Sequence, residues 1–221
     1  MNLMEAAQSR HSVRQYLEKP IDGETLAALQ EEIAGINREA GLHFQLVANE
    51  PRAFDCAMAH YGKFSGVTSY VALVGPKGST LGERCGYYGE RLVLRAQQLG
   101  LNTCWVAMSY KRIPNVFQVE PGEKLTVVLA IGYGAVQGTA HRSKAATDVS
   151  NAGSGTPEWF RSGVACALLA PTAMNQQKFT LTWTQEGVRA QAGMGFYTKL
   201  DLGIVKYHFE LGADGAPFRW L

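Results

Sequence analysis

Two guanidinium groups and a hydroxyl fall within five residues at Arg10-His11-Ser12-Val13-Arg14. Arginine brings charged, forked donors and serine a short neutral one, so the set can grip a phosphate. The same residues on a solvated face are the ordinary alternative. A second set of this kind, His141-Arg142-Ser143-Lys144, comes after the turn Gly132-Tyr133-Gly134-Ala135-Val136-Gln137-Gly138. In a chain of 221 residues with a net charge of only +2, two such local sets point to a small anion rather than a polyanion. No run of Lys and Arg suggests nucleic acid.

Three glycines after a buried strand raise the question of a dinucleotide fingerprint, but their spacing is GxGxxxG rather than GxGxxG. The residues after Gly138 are polar and basic rather than helical in pattern, and the Walker pattern is absent. A bound nucleotide would need another fold. The third chemical feature is Ala170-Pro171-Thr172-Ala173-Met174-Asn175-Gln176-Gln177. Proline stops the preceding apolar helix, small residues admit a ligand to the backbone, and the amides of Asn175 and Gln177 can donate and accept. A flavin edge presents that mixture of groups; a plain helix-ending loop is the alternative. Cys56, Cys85, Cys104 and Cys166 are widely spaced, without CxxC pairs or a Cys/His cluster, and read as buried free thiols with no metal site.

These residues must be positioned by a mixed set of helices and strands. Helical patterns cover 1–9 and 24–40, the latter with Leu26, Leu29, Ile33 and Ile36 on one face. Next come a strand at 43–48, a short helix at 51–58 and a strand at 68–74. The longest helix is expected at 81–99, closed by Gly100. Gly82, Gly86, Gly89, Val93 and Ala96 form a stripe on it with almost no bulk, which implies close approach by another backbone or by a flat ligand. Strands are expected at 102–107 and 124–131, the second a continuous apolar run suited to the middle of a sheet. Residues 145–157 are the most linker-like stretch, and a boundary there divides the chain into 1–148 and 149–221. Beyond it come a helix at 158–169, a hairpin of 178–184 with 188–192, and a helix at 200–211 closed by Gly212.

Together these segments resemble the nitroreductase family of flavoproteins, and most closely a subgroup in which one chain contains both halves of the usual dimer. Arg10 to Tyr16 resembles the N-terminal phosphate motif, and Ala170 to Gln177 the Ala-Pro-Ser-Ala-x-Asn-x-Gln motif. Gly86 to Arg91 with Gly100 to Val106 resembles the central helix and the strand that lines the flavin. Ile131 to Gly134 with Arg142-Ser143-Lys144 resembles the late glycine turn and its basic pair. The Ala-Pro motif here stands near residue 170, far from the Arg motif, where ordinary members have the two close together.

The resemblance implies an α+β fold, a nitroreductase-like mixed sheet wrapped by helices, with the two halves of one chain imitating the usual dimer around one FMN. It implies that Arg10, His11, Ser12 and Arg14 hold the phosphate with Arg142 and Lys144. Thr172, Ala173 and Asn175 would contact the ring, and Trp105, Val106, Ala107 and Met108 would line it through backbone groups. Where the family usually has Glu-Gly this chain has Ala107-Met108, a departure at the ring contacts. The implied activity is ping-pong reduction of small electron-poor acceptors, nitroaromatic or quinone type, by NAD(P)H, with no catalytic side chain required. A flavin carrier or sensor without turnover is the alternative, and a structural protein with surface arginines a third. Apolar residues at 46% and charged residues at 18% fit a globular protein. The candidate membrane segment, 67–74, is only strand-length, and 1–5 lacks the pattern of a signal peptide, so a cytoplasmic protein is expected; the implied pseudo-dimer leaves a monomer or weak homodimer.

Overall fold

The computed structural model describes residues 1–221. The helices are α1 Leu3–Ser9, α2 Gly23–Ala40, α3 Ala57–Tyr61, α4 Leu81–Gln98, α5 Ala146–Val149, α6 Glu158–Ala167 and α7 Thr198–Gly212. The strands are β1 His43–Val47, β2 Ser69–Pro76, β3 Asn102–Val106, β4 Glu123–Gly132, β5 Phe179–Thr184 and β6 Gly187–Ala192. The fold class is α+β, as expected. The chain forms two compact units that are not contiguous in sequence: residues 1–9, 82–91 and 141–221 make one, and residues 10–81 and 92–140 the other. No helix is long and apolar enough to cross a membrane.

The second of these units is built on a four-stranded antiparallel sheet of order β1-β2-β4-β3. The apolar runs of β2 and β4 take its two central positions, which is where strands covered on both faces belong. Tyr70, Ala72 and Val74 of β2 share a face with Val128 and Ala130 of β4 and with Cys104 and Val106 of β3, and all lie in one buried cluster. α2 packs on β1, where the Asn37 amide makes paired bonds of 2.9 and 2.8 Å with the backbone of Phe44 and so satisfies peptide groups of an edge strand. The helix expected at 51–58 is instead a 3-10 turn, Pro51–Ala53, and then α3. Glu50 accepts the Arg52 N–H at 3.2 Å, Ala53 and Phe54 are drawn into the core, and the extended Cys56 interrupts the helical path.

α4 matches its expected span and ends as a Schellman motif. The N–H of Leu101 donates to Ala96 O at 2.9 Å and that of Gly100 to Gln97 O at 3.1 Å, with Gly100 at φ +78°.

In the other unit α7 is the central helix, with every residue from Leu200 to Val205 buried. The glycine stripe serves close approach of two backbones: a Cβ on Gly86 would lie 2.0 Å from Leu200 O, and one on Gly203 would lie 1.9 Å from Glu83 O. α6 meets α7 in the same way, since a Cβ on Gly212 would lie 2.5 Å from the Cβ of Cys166. Gly212 is therefore a packing residue inside α7, not its terminator; Ala213 is the C-cap. The stretch at 145–157 is not a free linker either. It holds α5, buries Val149, and pairs the Asn151 side chain with both backbone groups of Trp183 at 3.0 and 2.9 Å. A polar side chain there completes the edge of the β5–β6 hairpin.

Replacing Gly203 by Ala places a methyl against a carbonyl that has no room to move, so Gly203→Ala is expected to cost about 2 kcal/mol or more, at the upper part of the overpacking range. The midpoint of urea unfolding measures it; a midpoint equal to that of the wild type would contradict the glycine packing.

Candidate functional site

In the sheet unit, the segment that carries Arg10 to Leu17 has no strand assignment but is bonded on both sides. Ser12 bridges Thr103 in parallel, and the Val13 N–H donates to Thr103 O at 3.0 Å. Leu17 N–H donates to Tyr133 O at 2.8 Å and Ala135 N–H to Gln15 O at 2.9 Å, which ties the segment to the glycine turn. On its other side Tyr16 N–H reaches Ser65 O at 2.9 Å and Ser65 N–H reaches Arg14 O at 3.0 Å. Val13 and Tyr16 point into the core as anchors. Gly134 N–H donates to the Asn102 side chain at 3.0 Å, and a Cβ on Gly138, at φ +70°, would lie 2.9 Å from the His11 Cβ. The Arg motif, strand β3 and the glycine turn are thus one hydrogen-bonded assembly.

This assembly gathers Arg10, Ser12 and Arg14 around Cys104. Burial pushes the Cys104 thiol up, while Arg14, Arg10 and a hydrogen bond with Ser12 pull against it without prevailing. The Arg10 side chain is 4% exposed, which sets it apart from a solvated surface arginine. Arg14 borders a cleft of about 310 Å³ lined also by Lys63, Phe64, Trp105, Val106 and Ala107 among others. Three of the four residues expected to line a flat ring, Trp105 to Ala107, border that cleft. Met108 does not, and is 68% exposed. Lys63 and Phe64 were not singled out from the sequence, because only the Ser65–Arg14 pairing brings their loop here. A larger cleft of about 510 Å³ in the same unit is bordered by Glu18, Asp55 and His60, a lining with the wrong sign for a phosphate.

In the other unit, the second basic set and the Ala-Pro loop come together. Asn175 Nδ2 and Gln177 Nε2 both donate to Arg142 O at 2.9 Å. Lys144 N–H donates to Gln177 Oε1 and its Nζ to Gln177 O, each at 2.9 Å. Gln177 N–H returns to Thr172 Oγ1 at 3.0 Å. Met174, Asn175 and Gln177 have φ of 51°, 54° and 45°, left-handed conformations that cost a non-glycine residue about 1 kcal/mol or more. Asp201, which sequence reasoning passed over, accepts from Ala173 N–H at 3.0 Å and from Gln176 Nε2 at 2.7 Å. Its signal was a carboxylate inside the apolar run Leu200-Asp201-Leu202-Gly203-Ile204-Val205.

Residues 2–213 match the model of the family described as "Putative TM nitroreductase". The chain belongs to this nitroreductase family. Among solved structures, a "putative nitroreductase" from Thermotoga maritima is similar over 96% of this chain and 83% of its own, at TM-score 0.68 and 22% identity. A "putative nitroreductase in complex with FMN" from Exiguobacterium sibiricum aligns over 67% of this chain and 95% of its own, at TM-score 0.53 and 14% identity. A "Putative NADH dehydrogenase/NAD(P)H nitroreductase" from Parabacteroides distasonis aligns over 69% and 99%, at TM-score 0.52 and 18% identity. At such identities these nitroreductase structures share a fold with this chain. No curated protein matches it. Family membership makes the chain an oxidoreductase-family protein, with no metal cluster of His, Cys, Asp or Glu.

Burial raises the thiols of Cys104 and Cys166, the latter to about 12 by burial first and by Glu90 second, and Cys85 is equally shut off from solvent. In the native nitroreductase-family chain only half-buried Cys56 is expected to react rapidly with a disulfide reagent at pH 8. More than one fast thiol per chain would contradict the packing around Cys104 or Cys166.

Proposed function

We propose that the chain is an FMN-dependent oxidoreductase that reduces small electron-poor acceptors, of the nitroaromatic or quinone type, with NAD(P)H. One observation carries this reading: Arg10, Ser12 and Arg14 gather around Cys104, and Arg14 borders a cleft lined by Trp105 to Ala107, in a chain of the nitroreductase family. The residues suit the cofactor. A buried guanidinium, a second at the cleft edge and a hydroxyl match a phosphate dianion. A cleft lined by Phe64 and Trp105 suits a flat heterocycle. The complex of the Exiguobacterium sibiricum protein with FMN supports the same choice.

In this reading Arg10, His11, Ser12 and Arg14 bind the phosphate and Trp105, Val106 and Ala107 flank the ring, while Met108 stands outside the cleft. Arg142 and Lys144, with Thr172, Ala173 and Asn175, supply a second set of contacts, and each chain takes up one FMN. FMN, when bound, supplies two-electron hydride chemistry between a nicotinamide donor and an acceptor. The protein needs no nucleophile of its own. Arg14 and Lys63 keep the cleft positive, which favours anionic nicotinamide nucleotides and any negative charge that develops there. Donor and acceptor using the same cleft in turn give parallel lines in double-reciprocal plots, the mark of a ping-pong scheme.

The reading is tested by the spectrum of purified protein between about 300 and 550 nm, the flavin range, before and after anaerobic NADH or NADPH. One FMN per chain that bleaches is the expected result. A yellow protein that does not bleach would favour the carrier or sensor, and no uptake of FMN would refute the proposal. Arg10→Ala is expected to weaken FMN binding at least about tenfold, the loss of a charge-assisted pair, in a fluorescence titration of apo-protein. Lys124→Ala, on the opposite end of β4, is the control and leaves the titration unchanged.

A further inference from the structure

The loop 172–177 holds three non-glycine residues in the left-handed region, of which only Asn175 is of a type that visits it readily. Asn175 and Gln177 are tied to Arg142 and Lys144, and Ala173 and Gln176 to a buried carboxylate. Asp201 lies in the first turn of α7 and is 2% exposed among Leu200, Leu202 and Val205. Its Oδ1 takes the Ala173 N–H at 3.0 Å and its Oδ2 takes Gln176 Nε2 at 2.7 Å. Gln176 Nε2 also donates to Phe196 O at 2.8 Å, beside Tyr197, which is itself left-handed at φ 61°. A single carboxylate therefore ties two strained loops together. It does so at a cost, since burial pushes its titration above the ordinary carboxylate range and the two donors only partly oppose this. An apolar side chain of similar volume would fill the same space without that penalty.

We propose that Asp201, acting through Ala173 N–H and Gln176, is the positioning residue that holds loop 172–177 in the geometry required for FMN binding. The inference rests on the FMN reading above. Asp201 touches only the loop and is not assigned to the cofactor or the reacting atoms.

Three variants and two readouts test it. In Asp201→Leu the apo-protein is expected to bind FMN roughly tenfold or more weakly by flavin fluorescence, the loss of bonds to a charged acceptor. Amides of 172–177, Ala173 above all, should exchange with solvent roughly tenfold faster, as local opening becomes easier by that factor, while β5 and β6 stay protected. Its urea midpoint should equal or exceed that of the wild type, because the desolvation penalty is gone. Asp201→Asn keeps an acceptor for the Ala173 N–H and leaves Gln176 Nε2 its bond to Phe196 O, losing only the Gln176 bond, so it should restore both readouts to within roughly threefold. If Asp201→Leu fails to fold, Gln176→Leu removes half of the clamp from a half-buried position and carries the same expectations.

Wild-type FMN affinity in the leucine variants, or unchanged exchange at 172–177, would overturn the positioning role. So would equal loss in Asp201→Asn, which would assign the effect to charge rather than geometry. Wild-type protein that takes up no FMN refutes the FMN reading itself; the exchange measurement then decides by itself whether Asp201 clamps the loop.

Discussion

The N–H of Val13 donates to the carbonyl of Thr103, and the arrangement of the basic residues in the sheet unit depends on this bond. A segment with Arg10, Ser12 and Arg14 has little apolar surface to hold it down, but its peptide groups must find partners once Val13 and Tyr16 are buried. They find them in β3 on one side, in the glycine turn beyond β4, and at Ser65 on the other. The close pass leaves no room for side chains: a Cβ on Gly66 would lie 2.0 Å from Tyr16 O. Glycine at these crossings is what lets a charged segment be held by backbone bonds.

The other unit depends on a different use of the same residue type. α7 approaches α4 at Gly86 and Gly203 and approaches α6 at Gly163 and Gly212, so backbones meet where side chains would normally keep helices 8–10 Å apart, a typical interaxial spacing of about that size. Close packing brings polar groups into the interior with it. His208 and Glu90, both fully buried, satisfy each other at 2.9 Å, with the Cys166 thiol 3.9 Å from the other ring nitrogen. A thiol, an imidazole and a carboxylate in sequence resemble an activated nucleophile, but the thiol is raised to about 12 and sealed from solvent, so the trio is structural. Asp201 differs from it because its two bonds go to a surface loop with strained backbone.

The departure at Ala107-Met108 has a physical consequence for the cleft. With no carboxylate at those positions, the cleft beside β3 keeps the positive character set by Arg14 and Lys63. Ala107 borders it as a small neutral wall and Met108 stands out in solvent.

Much of this was legible in the sequence. The continuous apolar run at 124–131 placed β4 in the middle of a sheet and Gly100 marked the end of α4, because each rests on local periodicity or local backbone conformation. The sequence could not show that 145–157 is packed rather than free, since what orders it is Asn151 on the backbone of Trp183, a partner 32 residues away. Nor could it separate a capping Gly212 from a packing one, as both look the same until α6 arrives. The interleaved composition of the two units, the approach of Lys63 and Phe64 to the cleft, and the hold of Asp201 on Ala173 were likewise decided by tertiary structure. Each is a contact between segments distant in the chain, and such contacts are selected by the global packing of the core and not by the propensities of the residues that make them.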